Sequence, residues 1–293
     1  MGMVNESLAR VLSKLPKIGC MEFCNSFGVL IKNIYTKLSK MITLNIQKIR
    51  KNIIMKTQEF LQILEFSKKP IFSFSDFVRI LGKSENYVKV FVNRLAKKQL
   101  VRIEKNKYAL KRTNPLLVAS NLLFPSYISF ISAYGYYDLT TQLPRTVYVV
   151  ALKQKKILHY NSNLIQFVKF KDFRFFGFSR ELLENKFLFV AEPEKAILDS
   201  LYLPKYCPVP ETFFALKNAK LNIEKLITFA QQMKSSALIA RLGYLLELVG
   251  IDISERLRPV SKNYTVLNPA SPKKGQKEKK WRLIINEVLN NVE

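Results

Sequence analysis

The sequence predicts an α+β chain in two parts: a helical module closed by a hairpin over 55–112, and a mixed α+β domain with antiparallel strands and a helical block over 113–293. Three observations carry the prediction. Apolar residues recur at helical spacing in three short segments between Met55 and Gln99, then alternate over Leu100–Lys111. Alternation returns beyond Arg112, and from Glu192 the helical period resumes in four segments with recognisable starts. Residues 1–54 form a basic extension outside both parts.

The first helix is KTQEFLQILEFS, with Phe60, Leu61, Ile63 and Leu64 on one apolar face. It stops at Lys68-Lys69-Pro70. In FSFSDFVRILG, Ser75 is a suitable N-cap for a second helix carrying Phe77, Val78 and Leu81, and Gly82 ends it. Ser84 can cap the third, ENYVKVFVNRLAKKQ. There Tyr87, Val88, Phe91, Val92 and Leu95 form the stripe assigned to the core, leaving Asn86, Lys89, Val90, Asn93 and Lys97 outside. In LVRIEKNKYALK, Val101 and Ile103 alternate with charges, Glu104-Lys105-Asn106 turn, and Tyr108 and Leu110 resume the alternation. Three helices followed by such a hairpin make a winged helix-turn-helix.

A third helix whose free face is basic and rich in amides suits the major groove, because Asn pairs bidentately with adenine and Lys reaches guanine or phosphate. Asn86, Lys89, Asn93 and Lys97 are the groove-face candidates, Ser84 and Tyr87 would make contacts at the helix entry, and Lys105 and Lys107 would lie near the wing tip. Between Met55 and Arg112 there are 14 Lys and Arg against 5 Asp and Glu, a surplus expected of a phosphate-facing surface. The competing reading is a winged helix that docks protein. The whole chain, at net charge +26, would attract nucleic acid or an acidic membrane surface.

Three cysteines, Cys20, Cys24 and Cys207, are too few for a disulfide framework and point to a reducing, cytoplasmic compartment. One histidine, His159, stands far from the cysteine pair, so no metal site and no cofactor is expected. Thr113–Tyr137 carries no charge over 25 residues, long enough to span a bilayer. Its serines, asparagines and Pro125 argue instead for a buried helix, a turn and a second helix. The first 54 residues admit three readings: a helical arm, a segment lying on a membrane or DNA, or an over-long reading frame with initiation at Met55, which is favoured.

In the second part, Ser126 would cap the helix YISFISAYG, ended by Gly135. QLPRTVYVVALKQKKILHYN is expected to form paired strands about a Lys-rich turn, and IQFVKFKDFRFFGF a half-buried antiparallel strand pair. A strand at Phe187–Val190 enters a helix whose first turn holds Glu192, Pro193 and Glu194, which suits the proline preference and the helix dipole. Helices follow in VPETFFALKNA, NIEKLITFAQQM and SSALIARLGYLLELVG, with Asn222 and Ser235 as caps and Gly250 closing the last. YTVL and WRLII then form a terminal hairpin across NPASPKKGQKEKK.

Five segments, FPSYISFISAYGYYDLTTQLP, FRFFGF, VAEPEKAILDSLYLP, RLGYLLELVG and KKWRLIIN, resemble the C-terminal domain of the AbiEi-type antitoxin and transcriptional regulator family, placed after that family's N-terminal winged helix. The resemblance covers roughly Met55–Asn286. Its most specific part is AEPEKAILDSLYL, with Glu192, Pro193, Glu194, Lys195 and Asp199. Tyr136-Tyr137 departs from the smaller Gly-Leu pair expected there. The resemblance implies a regulator that binds repeats in its own promoter as double-stranded DNA and, in type IV toxin-antitoxin operons, opposes a nucleotidyltransferase-like toxin. Repeated sites would require a homodimer or cooperative binding; a solitary regulator would share the same features.

Two rival classes remain. Asp172, Glu192, Glu194, Lys195 and Asp199 are the residue types of a metal-dependent nuclease, but adjacent Glu194 and Lys195 on a helix would not converge on one metal. The simpler reading gives Glu192 and Glu194 to the helix dipole and Asp199 to a salt bridge or cap, leaving no catalytic residues. Phe173, Arg174 and Phe175 are candidates for stacking on RNA or single strands.

Overall fold

The computed structural model describes residues 36–44, 57–96, 98–142 and 144–289. Packing divides the chain into two compact units, Met1–Gln62 and Ile63–Glu293. In the first, helix α1 (36–44) is exposed along its length. Cys20, Cys24 and Met55 lie outside the described residues.

Helix α2 (57–66) buries Phe60, Leu61 and Leu64 and leaves Ile63 exposed, which removes Ile63 from the expected face. Helix α3 (Phe74–Leu81) starts two residues earlier than the sequence suggests. Ser73, not Ser75, is its N-cap: the Asp76 N–H donates to Ser73 Oγ at 3.1 Å and the Ser73 N–H donates back to the Asp76 carboxylate at 2.9 Å. This reciprocal capping box satisfies two otherwise orphaned donors, which a single cap at Ser75 could not. Burial pushes the Asp76 carboxyl up, but hydrogen bonds from Ser73 and Lys69 outweigh it and hold the group below its usual range. Gly82 ends α3 in the left-handed conformation, φ 57°, and its N–H donates to the Val78 carbonyl.

Helix α4 (Glu85–Ala96) buries Val88, Val92 and Leu95. Strands β1 (Leu100–Glu104) and β2 (Lys107–Leu110) pair antiparallel about a turn at Lys105-Asn106, where Asn106 has φ 60°. Phe72 joins this hairpin through reciprocal hydrogen bonds with Tyr108, and Phe77 packs against both rings. Helix, bridge, helix, helix and hairpin follow in the order of a winged helix-turn-helix.

The remainder is built on a six-stranded mixed sheet of β3 (Ser126–Ile128), β4 (Thr146–Ala151), β5 (Leu158–Tyr160), β6 (Asn163–Lys169), β7 (Phe178–Leu183) and β8 (Lys186–Ala191). Across the sheet the order is β5-β6-β4-β3-β8-β7. Helices α5 (Pro115–Leu122), α6 (Ile131–Tyr136), α7 (Pro193–Tyr202), α8 (Val209–Asn218), α9 (Ile223–Gln232) and α10 (Ser236–Leu248) complete it. A small sheet closes the chain, with β9 (Thr265–Val266), β10 (Gln276–Glu278) and β11 (Leu283–Ile285). Among the described residues, no helix is long and apolar enough to cross a membrane.

Asn222 and Ser235 cap α9 and α10 as the sequence indicates, and Pro193 occupies the first turn of α7. Four strand assignments are corrected. Ser126 begins β3 rather than capping a helix, and the helix starts at Ile131. β4 and β5 do not pair with each other, because β6 lies between them, parallel to β4 and antiparallel to β5. The alternation of IQFVKFKDFRFFGF is not a strand pair: β6 stops at Lys169, and Asp172–Arg174 is a 3-10 turn. YTVL and WRLII run parallel as β9 and β11, while the hairpin partner of β11 is β10, drawn from the expected loop.

Candidate nucleic-acid interface

One face of α4 is left uncovered. At 3.6 residues per turn, Asn86, Val90 and Asn93 lie along its centre, Lys89 on one flank, and Tyr87 and Arg94 on the other. All six are exposed. Tyr87 therefore leaves the buried stripe to which its spacing assigned it, with its ring stacked on half-buried Phe91 at 6.2 Å between centroids. Ser84, also exposed, sits just before the helix and its carbonyl accepts from the Val88 N–H at 3.0 Å. Lys97 lies outside the described residues. Arg94 was missed by sequence reasoning, although its place four residues after Val90 puts it at the edge of the same free face.

The two wing lysines differ. Lys105 is exposed at the turn, as expected of a tip residue. Lys107 is turned inward: its Nζ donates to the Leu122 carbonyl at 2.6 Å and pairs with Glu104 at 2.8 Å. That carbonyl belongs to the last turn of α5, where a cation offsets the helix dipole. Lys155, from the Lys-rich segment after β4, also holds Glu104 at 2.9 Å. Burial pushes the Glu104 carboxyl up, yet Lys107 and Lys155 more than reverse that and keep it below its ordinary value of 4.5. On the other side of the hairpin, the Tyr160 hydroxyl donates within reach of the Leu110 and Thr113 carbonyls at 2.5 and 2.9 Å. The wing is thus held at its base through Leu110 and again beside its turn through Glu104 and Lys107, leaving Lys105 exposed at the tip.

The residues of AEPEKAILDSLYL form no open site. Glu192, just before α7, pairs with Lys225 at 3.0 Å. Glu194 accepts from the Asn222 N–H at 2.9 Å, so the two glutamates tie the start of α7 to the start of α9. Lys195 and Asp199 are fully buried and paired with each other. Asp199 also accepts from Ser129 Oγ at 2.8 Å and from the Tyr127 hydroxyl at 3.2 Å, while Lys195 Nζ donates to the Tyr127 oxygen at 3.0 Å. Burial lowers the Lys195 pKa and raises that of Asp199, each opposed by the other's charge. Glu194 and Lys195 diverge as adjacent helical positions should. Among the described residues, no three His, Cys, Asp or Glu side chains gather as a metal-binding group.

FRFFGF meets this cluster. Gly177, at φ 67°, brings its backbone so close that a Cβ there would lie 2.8 Å from the Phe229 ring and 3.1 Å from Lys195 Cβ. The Arg174 guanidinium lies over the Tyr202 and Phe173 rings at 4.4 and 4.7 Å and donates to the Met233 carbonyl at 2.7 Å. Phe175 packs against Tyr127. Of the proposed stacking trio, Arg174 and Phe175 are committed to the fold and Phe173 keeps a partly open face.

No family model matches the chain, and no curated protein matches it. Among solved structures it is similar to the RV2827C protein from Mycobacterium tuberculosis, with a TM-score of 0.57 and 13% identity over 76% of this chain and 89% of that one. At that identity the likeness is one of fold.

Proposed function

We propose that the protein is a cytoplasmic, sequence-specific, double-stranded DNA-binding regulator of the AbiEi type, acting without catalytic residues or a cofactor. The observation that carries the DNA-binding reading is the free face of α4, where Asn86, Asn93, Lys89 and Arg94 stand exposed beside a wing tipped by Lys105. Asparagines supply base-edge hydrogen bonds and the cations supply phosphate contacts. Repression of its own promoter through repeated sites, as a dimer or cooperatively, and opposition to a nucleotidyltransferase-like toxin rest on the sequence resemblance.

Fluorescence anisotropy of the full chain with its own upstream DNA and with a scrambled duplex, across a salt series and with magnesium present, tests the reading. Preference for the upstream DNA without strand cutting is expected. Asn93→Ala should erase part of that preference, about 1 to 3 kcal/mol at one base pair. Equal weakening on both duplexes would sink the groove assignment. Co-expression with the product of an adjacent nucleotidyltransferase gene tests the antitoxin role: relief of growth arrest supports it, and unrelieved arrest removes it while leaving the regulator.

A further inference from the structure

Between the wing and the edge of the large sheet lies a cleft of about 650 Å³. Its floor is one face of the β7–β8 ribbon, where Arg180 is registered opposite Phe189 and diagonal to Phe187. The Arg180 guanidinium lies 3.6 Å from the Phe187 ring centroid, and Phe187 stays exposed beneath it. The wing turn contributes Lys105 and Asn106 to the lining, and the segment that follows α2 contributes Lys68. The single acid in the lining, Asp76, is taken up by Lys69 and Arg79 at 3.2 and 2.8 Å. Lys68, Lys105 and Arg180 have no carboxylate partner among the described residues.

Unpaired cations around an aromatic floor fit an anion that also carries a flat apolar group. A simple anion would make no use of Phe187 and Phe189, whereas a planar base stacks on a guanidinium laid over an aromatic ring. Duplex DNA offers phosphates but keeps its bases stacked within the helix. The volume lies inside the range of roughly 300 to 1,000 Å³ typical of small-ligand sites. We propose that the cleft binds a nucleotide, with its base laid against Phe187 and Arg180 and its phosphates held by Lys68 and Lys105. Because Lys105 belongs to the wing and Arg180 to the sheet, the ligand would bridge the two and couple nucleotide level to the wing. The binding proposal does not depend on the DNA-binding reading.

The test is titration of the full chain into fluorescent ATP and GTP analogues carrying a methylanthraniloyl group, with competition by unlabelled ATP and GTP, inorganic phosphate and a short oligothymidylate. Saturable binding displaced by the unlabelled triphosphates, and at least about tenfold less well by phosphate, is expected. Arg180→Ala, Lys68→Ala and Phe187→Leu should each weaken it about tenfold, with Lys262→Ala as an unaffected charge-matched control. Phe187→Leu keeps an apolar side chain and Arg180→Lys keeps the charge, so loss of stacking is separated from loss of fold, which circular dichroism monitors. No saturable binding, equal displacement by phosphate, or full affinity in both Arg180→Ala and Phe187→Leu would overturn the proposal. Tighter displacement by the oligothymidylate than by either nucleotide would assign the cleft to single strands and overturn it too.

Discussion

Lys195 and Asp199 stand one turn apart on α7 and are paired with each other where neither is reached by solvent. The Lys195 ammonium is also ringed by Tyr127, Phe170 and Phe176, with centroids 5.0 to 5.4 Å away. Removing both charges from water is costly, and the pair persists because each neutralises the other and Tyr127 and Ser129 fill the remaining hydrogen-bond positions. Lys195→Met should therefore destabilise the fold by about 3 to 5 kcal/mol, since it strands a buried carboxylate. Lys195→Met combined with Asp199→Asn should recover much of the loss. Urea denaturation of wild type, Lys195→Met, Asp199→Asn and the double variant checks this, and additive losses in the double variant would count against the pairing as the source of the effect.

Gly243 and Trp281 join α10 to the terminal strand region. A Cβ at Gly243 would sit 2.1 Å from the Trp281 ring, so the terminal strand region packs its buried indole directly on the α10 backbone. Gly243→Ala should cost about 1 to 3 kcal/mol through overpacking. Trp281 is the sole tryptophan, so its emission reports the site without a label. A red shift with a lower denaturation midpoint is expected; wild-type emission and midpoint would show that the ring has room to move.

Helix ends were legible in the sequence because their causes are local. Gly82, Asn222, Ser235 and Pro193 each act within one turn of themselves, and each sits where the pattern placed it. The Ser73 cap was equally local, but Ser75 competes for the role two residues away, and only the return bond from Asp76 decides between them. Beyond the β1–β2 hairpin, strand partners were not legible. Nothing in β4 or β5 announces that β6 will come between them, and Ser126–Ile128 is too short for alternation to show. The free face of α4 followed from helical period alone, with Tyr87 lost at its margin. The inward turn of Lys107 depends on a carbonyl fifteen residues away, and the cleft gathers Lys68, Lys105 and Arg180 from three separate segments. No periodicity encodes either.

Glu104 gives the wing a pH dependence whose sign follows from its two lysines. Its folded pKa lies below the ordinary 4.5, so the stabilisation is fully present above that value and is lost as pH falls through the folded pKa. The difference in melting temperature between wild type and Glu104→Gln should be largest near neutral pH and shrink in that acid window. A difference that grows on acidification would mean the carboxylate is not stabilised by Lys107 and Lys155.

Lys105 and Lys107, two residues apart on one hairpin, should respond oppositely to loss of charge. Lys105 is exposed at the tip and pairs with no carboxylate among the described residues, so Lys105→Ala should leave melting unchanged while lowering the salt dependence of duplex binding by about one unit of log–log slope. Lys107 is held between the Leu122 carbonyl and Glu104. Its replacement by Ala strips a part-buried carbonyl of its side-chain partner and leaves Glu104 with Lys155 alone, which should lower the melting temperature with little change in slope. Paired salt titrations and thermal melts of the two variants separate these roles. Matching slope changes in both would place Lys107 on the phosphate after all, and would require its anchoring contacts to give way when duplex arrives.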